Sequence, residues 1–145
     1  MQKTYPEYWG CKIQKKKINE KYTWILALPT GYKVKFSSPI GVVGKDILEN
    51  FYFIGRIGET NIEKKFIVEI TKVSCDGKIV GKIRIDRDPP DYYYTTSSIY
   101  LSPRGDIYVM NSDESGFWID CYPTELFDKP EGRDFTNLYP QYKNE

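Results

Sequence analysis

Two aromatic groups are the residues best suited to hold a partner. One lies in the polar segment between residues 86 and 98, among aspartates and prolines, and the other lies near the N-terminus. Exposed tyrosines provide a large contact area for little side-chain entropy, so binding surfaces are rich in them. The alternative is that these rings lie back on a sheet and cover its core. The predicted partner-binding residues are Tyr92, Tyr93, Tyr94, Tyr5, Tyr8 and Trp9.

Catalytic chemistry has few candidates in this sequence. The chain contains no histidine, which removes Ser-His-Asp and Cys-His catalysis and histidine-ligated zinc. No phosphate-binding or dinucleotide-binding glycine motif is present. Carboxylate pairs are still available for glycan chemistry, with Glu69, Asp106 and Asp120 as candidates, although surface charges and turns explain these acids more simply. We predict a protein that is not an enzyme, with no catalytic residues, no cofactor and no metal.

The elements that must position these residues are short strands. Ala27 is the single alanine, whereas aromatic residues make up 16% of the chain, a composition that disfavours long helices and suits sheets. Asp76-Gly77 between two alternating segments is a strong hairpin signal. We expect an all-β, antiparallel meander that folds as a small barrel, a sandwich or partial propeller-like blades. The predicted strands are Tyr22–Leu28, Tyr32–Phe36, Phe51–Ile57, Lys65–Val73, Lys78–Ile85, Ile99–Leu101, Asp106–Met110 and Gly116–Tyr122.

One hairpin carries a resemblance to a known architecture. Ile99-Tyr-Leu-Ser-Pro-Arg-Gly-Asp-Ile-Tyr-Val-Met110 resembles the strand, turn and strand of many β-propeller blades, and Asp76 to Ile83 is similar to the turn into an outer strand. The resemblance spans residues 20 to 122 and implies a blade-like repeat. A propeller closes with four to eight blades, more than this length supplies. The resemblance therefore leaves three alternatives. The chain is a piece of a longer propeller, or several copies of it complete a ring together, or its meander folds alone as a small barrel or sandwich.

The length and the charge distribution of the chain indicate its domain organisation and its partners. We expect residues 1–145 to form a single β domain, with residues 123–145 as an extended or disordered tail. The net charge of +1 divides into +6 for residues 1–72 (13 basic, 7 acidic) and −5 for residues 73–145 (8 basic, 13 acidic). This division and open sheet edges favour homo-oligomers. The lysines at 12, 15, 16 and 17 are best explained as protection of an edge strand, so we predict no nucleic-acid partner.

Membrane and targeting signals are not found in the sequence. No apolar run reaches the length of a membrane-spanning helix, and the first residues lack a signal-peptide core. The compartment stays open, including an extracytoplasmic domain from which a signal was removed, and so does the pairing of Cys11, Cys75 and Cys121.

Three hypotheses of function follow. The first is a non-catalytic binding module that holds a protein or carbohydrate partner with the aromatic loops. The second is a structural piece of a propeller-like protein that completes itself by homo-oligomerisation. The third is a carboxylate-dependent enzyme acting on glycans.

Overall fold

The computed structural model describes residues 3–4, 9–59, 66–87, 99–113 and 116–136. Within these ranges the protein is all-β, as predicted, with a single 3-10 turn, η1 (Thr124–Leu126). The strands are β1 (Lys3–Thr4), β2 (Lys12–Ile18), β3 (Lys21–Ala27), β4 (Lys33–Phe36), β5 (Ile40–Lys45), β6 (Phe51–Glu59), β7 (Phe66–Val73), β8 (Ile79–Arg87), β9 (Ile99–Leu101), β10 (Ile107–Asp113), β11 (Gly116–Tyr122) and β12 (Arg133–Asp134).

The strands form three sheets. The first has the order β1-β2-β3-β4, the second β12-β8-β7-β6-β5 and the third β11-β10-β9. All pairs are antiparallel except β12, which lies parallel to β8. The described strands close no barrel, so the antiparallel meander is organised as open sheets.

The second sheet is the middle layer of the molecule. Alternate side chains of β6 point to opposite faces, so Phe51 and Phe53 enter one core while Tyr52 and Ile54 enter another. The first core is completed by the inner face of β2–β4 and the second by the inner face of β9–β11. A strand segment buried on both faces is expected to be free of charged residues, and residues 51–55 of β6 follow this pattern.

The C-terminal segment packs on the middle sheet. Phe127, which follows η1, is 2% exposed and contacts the ring of Tyr52 edge-on, with centroids 5.5 Å apart. Beyond it, β12 pairs with β8 and Phe135 donates a backbone hydrogen bond to the carbonyl of Arg84 at 2.8 Å. Residues 123–136 of the expected tail are thus placed on the sheet, while residues 137–145 lie outside the described part.

Candidate functional site

The predicted aromatic residues fall mainly outside the described structure. Five of the six predicted partner-binding residues are not among the described residues: Tyr92, Tyr93, Tyr94, Tyr5 and Tyr8. Their role in binding stays a prediction.

Trp9 is described and is half exposed, at 54%. Its ring edge lies near Gly44 of β5: the atom Cζ2 is 3.8 Å from the position a Cβ on that glycine would take, and Leu101 of β9 lies beside the same position. Trp9 therefore sits where β5 meets β9, with part of its ring accessible.

The outer face of the third sheet is the clearest candidate surface. In the register of β9–β11, Tyr108 lies between Tyr100 and Cys121, and Met110 pairs with Ile119. These residues alternate with Ile107 and Val109, which point into the core. They therefore share the outward side of the sheet. This surface, called the apolar face below, consists of Tyr100, Tyr108, Met110, Phe117, Ile119 and Cys121.

The side chains of the apolar face are unusually exposed for their type. Phe117 is 77% exposed, Tyr100 62%, Ile119 61% and Met110 53%. Contiguous exposed apolar patches are uncommon on monomers and mark interaction sites. None of these six residues is charged, and the nearby charges of Asp106 and Arg104 act on Tyr108 at one edge of the face. A hydrogen bond to Cys121 raises the pKa of Tyr108, so this hydroxyl is also uncharged at neutral pH.

The first four residues of β10, 107–110, resemble a strand segment that is covered on both sides. In β10, Ile107 and Val109 face the core, whereas Tyr108 and Met110 face outward. In the same way, β6 presents apolar side chains on both of its sides: Phe51 and Phe53 on one, Tyr52 and Ile54 on the other. In β6 both sides are packed against other sheets, whereas the outward side of β10 is exposed. Residues 107–110 of β10 are therefore apolar on both sides, although only one side is packed in the described structure.

A buried polar network lies at one end of the second core, and sequence reasoning did not find it. The Asp46 carboxylate, 3% exposed, accepts hydrogen bonds from the Leu48 and Asn50 amides, both at 2.9 Å, and from the Tyr52 hydroxyl at 2.9 Å. The Tyr52 hydroxyl also lies 2.9 Å from Thr124 Oγ1, which accepts a 2.7 Å hydrogen bond from Lys72 Nζ. Burial raises the pKa of Tyr52 well above its ordinary value, so its phenol remains protonated.

This network joins three segments of the chain. The backbone of Gly105 closes it: a Cβ at this position would lie 2.3 Å from the Tyr52 hydroxyl and 3.0 Å from Asp46 Oδ2. Asp106 continues the network by accepting the Thr124 amide at 2.9 Å and Arg104 Nε at 3.0 Å. Every polar group here has a partner within the protein, so the arrangement braces the β5–β6 turn, the β9–β10 turn and η1.

The three carboxylates considered for glycan chemistry lie apart in the fold. Glu69 pairs with Arg84 at 2.9 Å and points to the opposite side of β7 from Val68 and Ile70, which enter the second core. Asp120 lies on the inward side of β11, where it accepts a 2.7 Å hydrogen bond from Asn111. Asp106 belongs to the polar network. The middle sheet thus separates Glu69 from Asp120, and within the described ranges no three His, Cys, Asp or Glu side chains cluster as a metal site.

Comparison with known proteins yields no relative: no family model, no curated protein and no solved structure matches the chain. In the part of the chain that the structure describes, no helix is long and apolar enough to cross a membrane.

Proposed function

We propose that this chain is a non-catalytic interaction module that pairs with a second copy of itself through the apolar face. The observation that carries the proposal is the outward set of uncharged side chains on β9–β11, four of which are more than half exposed. A sheet face of this kind is stabilised when another apolar layer covers it.

A second copy is favoured as the covering layer by the distribution of charge. Two apolar faces bring no like charges together when they pair about a twofold axis, the most common symmetry of oligomers. The opposite end of the molecule is different, because the outer face of β2–β4 presents five lysines. Head-to-tail packing would press those lysines against apolar side chains, at a cost in desolvation.

The size of the face suits a weak dimer. Fully burying one large apolar side chain contributes roughly 1.5–3 kcal/mol. Four such side chains from each copy compete with an association cost of roughly 4–15 kcal/mol. We therefore expect a dissociation constant of about micromolar order.

The test is a measurement of mass in solution against protein concentration, from about 1 to 200 µM. Phe117→Lys places a charge in the apolar face and should weaken dimerisation at least about tenfold. The matched control is Leu48→Lys, since Leu48 is 76% exposed but belongs to the β5–β6 turn and not to the apolar face. A wild-type protein that stays monomeric throughout, or two variants that weaken the dimer equally, would contradict the proposal.

A second candidate is the propeller-like assembly, in which the covering layer is a further sheet of the same kind. It is favoured by one observation: the three sheets stack in the order in which they occur along the chain. Copies that complete a ring must pack head to tail, the apolar face of one against β2–β4 of the next. The same mass measurement separates the two candidates, because a ring gives a closed oligomer larger than a dimer.

A further inference from the structure

The outer face of the first sheet is strongly basic. The strands β2, β3 and β4 contain seven lysines and no Asp or Glu. Ile13, Trp24, Leu26 and Val34 point into the first core, so the residues that alternate with them point outward. The outward lysines, called the lysine face below, are all exposed and comprise Lys12, Lys16, Lys21, Lys33 and Lys35.

Strand register places four of these lysines on the two sides of β3 and the fifth, Lys21, at the start of β3 itself. Ala27 of β3 lies between Lys12 of β2 and Lys33 of β4, and the next outward residue, Ile25, lies beside Lys35. Neighbouring strands are about 4.8 Å apart, so the lysine rows of β2 and β4 are separated by roughly 10 Å. Lys16 lies beside Thr23, further along β3, and Lys21 ends this row of outward residues. The row is roughly 20 Å long.

We propose that the lysine face binds a linear anionic polysaccharide, a sulfated or carboxylated glycan chain that runs along β3 between the two lysine rows. This surface is separate from the apolar face, and the inference does not depend on dimerisation. A charged chain in this position meets cations on both sides and no opposing carboxylate from β2–β4.

The side-chain types on this face favour a glycan over nucleic acid. No outward residue of β2–β4 is aromatic, whereas proteins that bind single strands combine a basic groove with aromatic rings on which the bases stack. No outward residue is arginine, the usual bidentate reader of phosphate and guanine, and the flat face offers no element to enter a duplex groove. Lysines act as point charges toward sulfate and carboxylate groups alike.

The test is titration of the full chain at constant salt with three probes: a heparin-derived octasaccharide, a DNA duplex and an oligothymidylate. The wild type should bind the octasaccharide most tightly, with an affinity that falls steeply as salt increases. The variant Lys12→Gln/Lys33→Gln/Lys35→Gln should lose at least about tenfold in affinity, because one row and part of the other are removed.

Two matched variants make the result decisive. The control Lys45→Gln/Lys78→Gln/Lys129→Gln removes the same charge from three other exposed lysines and should bind within about twofold of wild type. The variant Lys12→Arg/Lys33→Arg/Lys35→Arg keeps the charge and should bind nearly as well as wild type, whether or not the glutamine variant folds. Tighter binding of either DNA, no binding of the octasaccharide, or an equal loss in the control would overturn the proposal.

Discussion

At the scale of single residues, the buried polar network shows how one glycine permits a close approach of three segments. Gly105 adopts a φ of +102° and is buried against the hydroxyl of Tyr52 and the carboxylate of Asp46. A side chain at this position meets two penalties, the strain of the left-handed backbone and the lack of space. The first penalty is common to other turn glycines, whereas the second is specific to this contact.

Gly105→Ala should destabilise the fold more than Gly31→Ala. Gly31 has a similar φ of +94° but nothing within 4 Å of its Cβ position, so its variant measures the backbone strain alone. We expect Gly31→Ala to lower the free energy of unfolding by about 1–2 kcal/mol. Gly105→Ala should lower it by at least about 2 kcal/mol more, because the added methyl displaces the network. Urea denaturation of both variants checks this, and equal losses would show that the network yields to the methyl.

At the scale of elements, the segment after β11 completes the second core. Phe127 fills the space beside Tyr52, and the chain at this residue passes so close to β8 that a Cβ on Gly81 would lie 2.3 Å from the Phe127 carbonyl carbon. The close approach requires glycine at position 81. The stability of the middle sheet should therefore depend on a segment whose sequence has no strand pattern.

Phe127→Ala should lower the free energy of unfolding by about 3–5 kcal/mol, because it removes a buried ring and leaves a cavity. Phe117→Ala is the matched control, since it deletes the same ring from an exposed position and should cost less than about 0.5 kcal/mol in dilute, monomeric protein. Denaturant titration measures both variants. A loss at Phe127 as small as that at Phe117 would mean that residues 123–136 contribute little to the fold.

At the scale of the whole molecule, the stack of three sheets has two different ends. One end presents the lysine face and the other presents the apolar face, and the middle sheet is covered on both sides. Pairing through the apolar face would leave the two lysine faces at opposite ends of a dimer. Such a dimer would hold two anionic chains, or two parts of one chain, with a gain in avidity.

Thiol labelling reports on this arrangement. Two cysteines are exposed: Cys121 lies on the apolar face and Cys75 lies in the β7–β8 turn. Cys11 is buried, and desolvation raises the pKa of its thiol to about 11. In Cys75→Ser protein, labelling of Cys121 at about pH 8 should slow several-fold as protein concentration rises, because the dimer covers it. In Cys121→Ser protein, labelling of Cys75 should be independent of concentration. Parallel behaviour of the two thiols would argue against the apolar face as the interface.

The sequence by itself determined the fold class and most of the strands. Alternation of apolar and polar residues, glycine turns and a single alanine predict an antiparallel β protein because these signals act between near neighbours. The third sheet was predicted almost residue by residue, with Gly116–Tyr122 matching β11. Residues 37–44 were predicted as a loop or a short strand, and β5 forms there. The two-residue strands β1 and β12 were not predicted, and β12 is held by pairing with β8, which is distant in the sequence.

Only the tertiary structure decided which faces are covered and which residues meet. Tyr52 and Tyr108 stand in similar strand patterns, yet the first is buried and the second belongs to an exposed face, because burial depends on the layer that stacks against each strand. Lys12 and Lys33 are distant in sequence and become neighbours of Ala27 through strand register. Period-two alternation gives a strand its two sides, but long-range packing selects the side that faces the solvent.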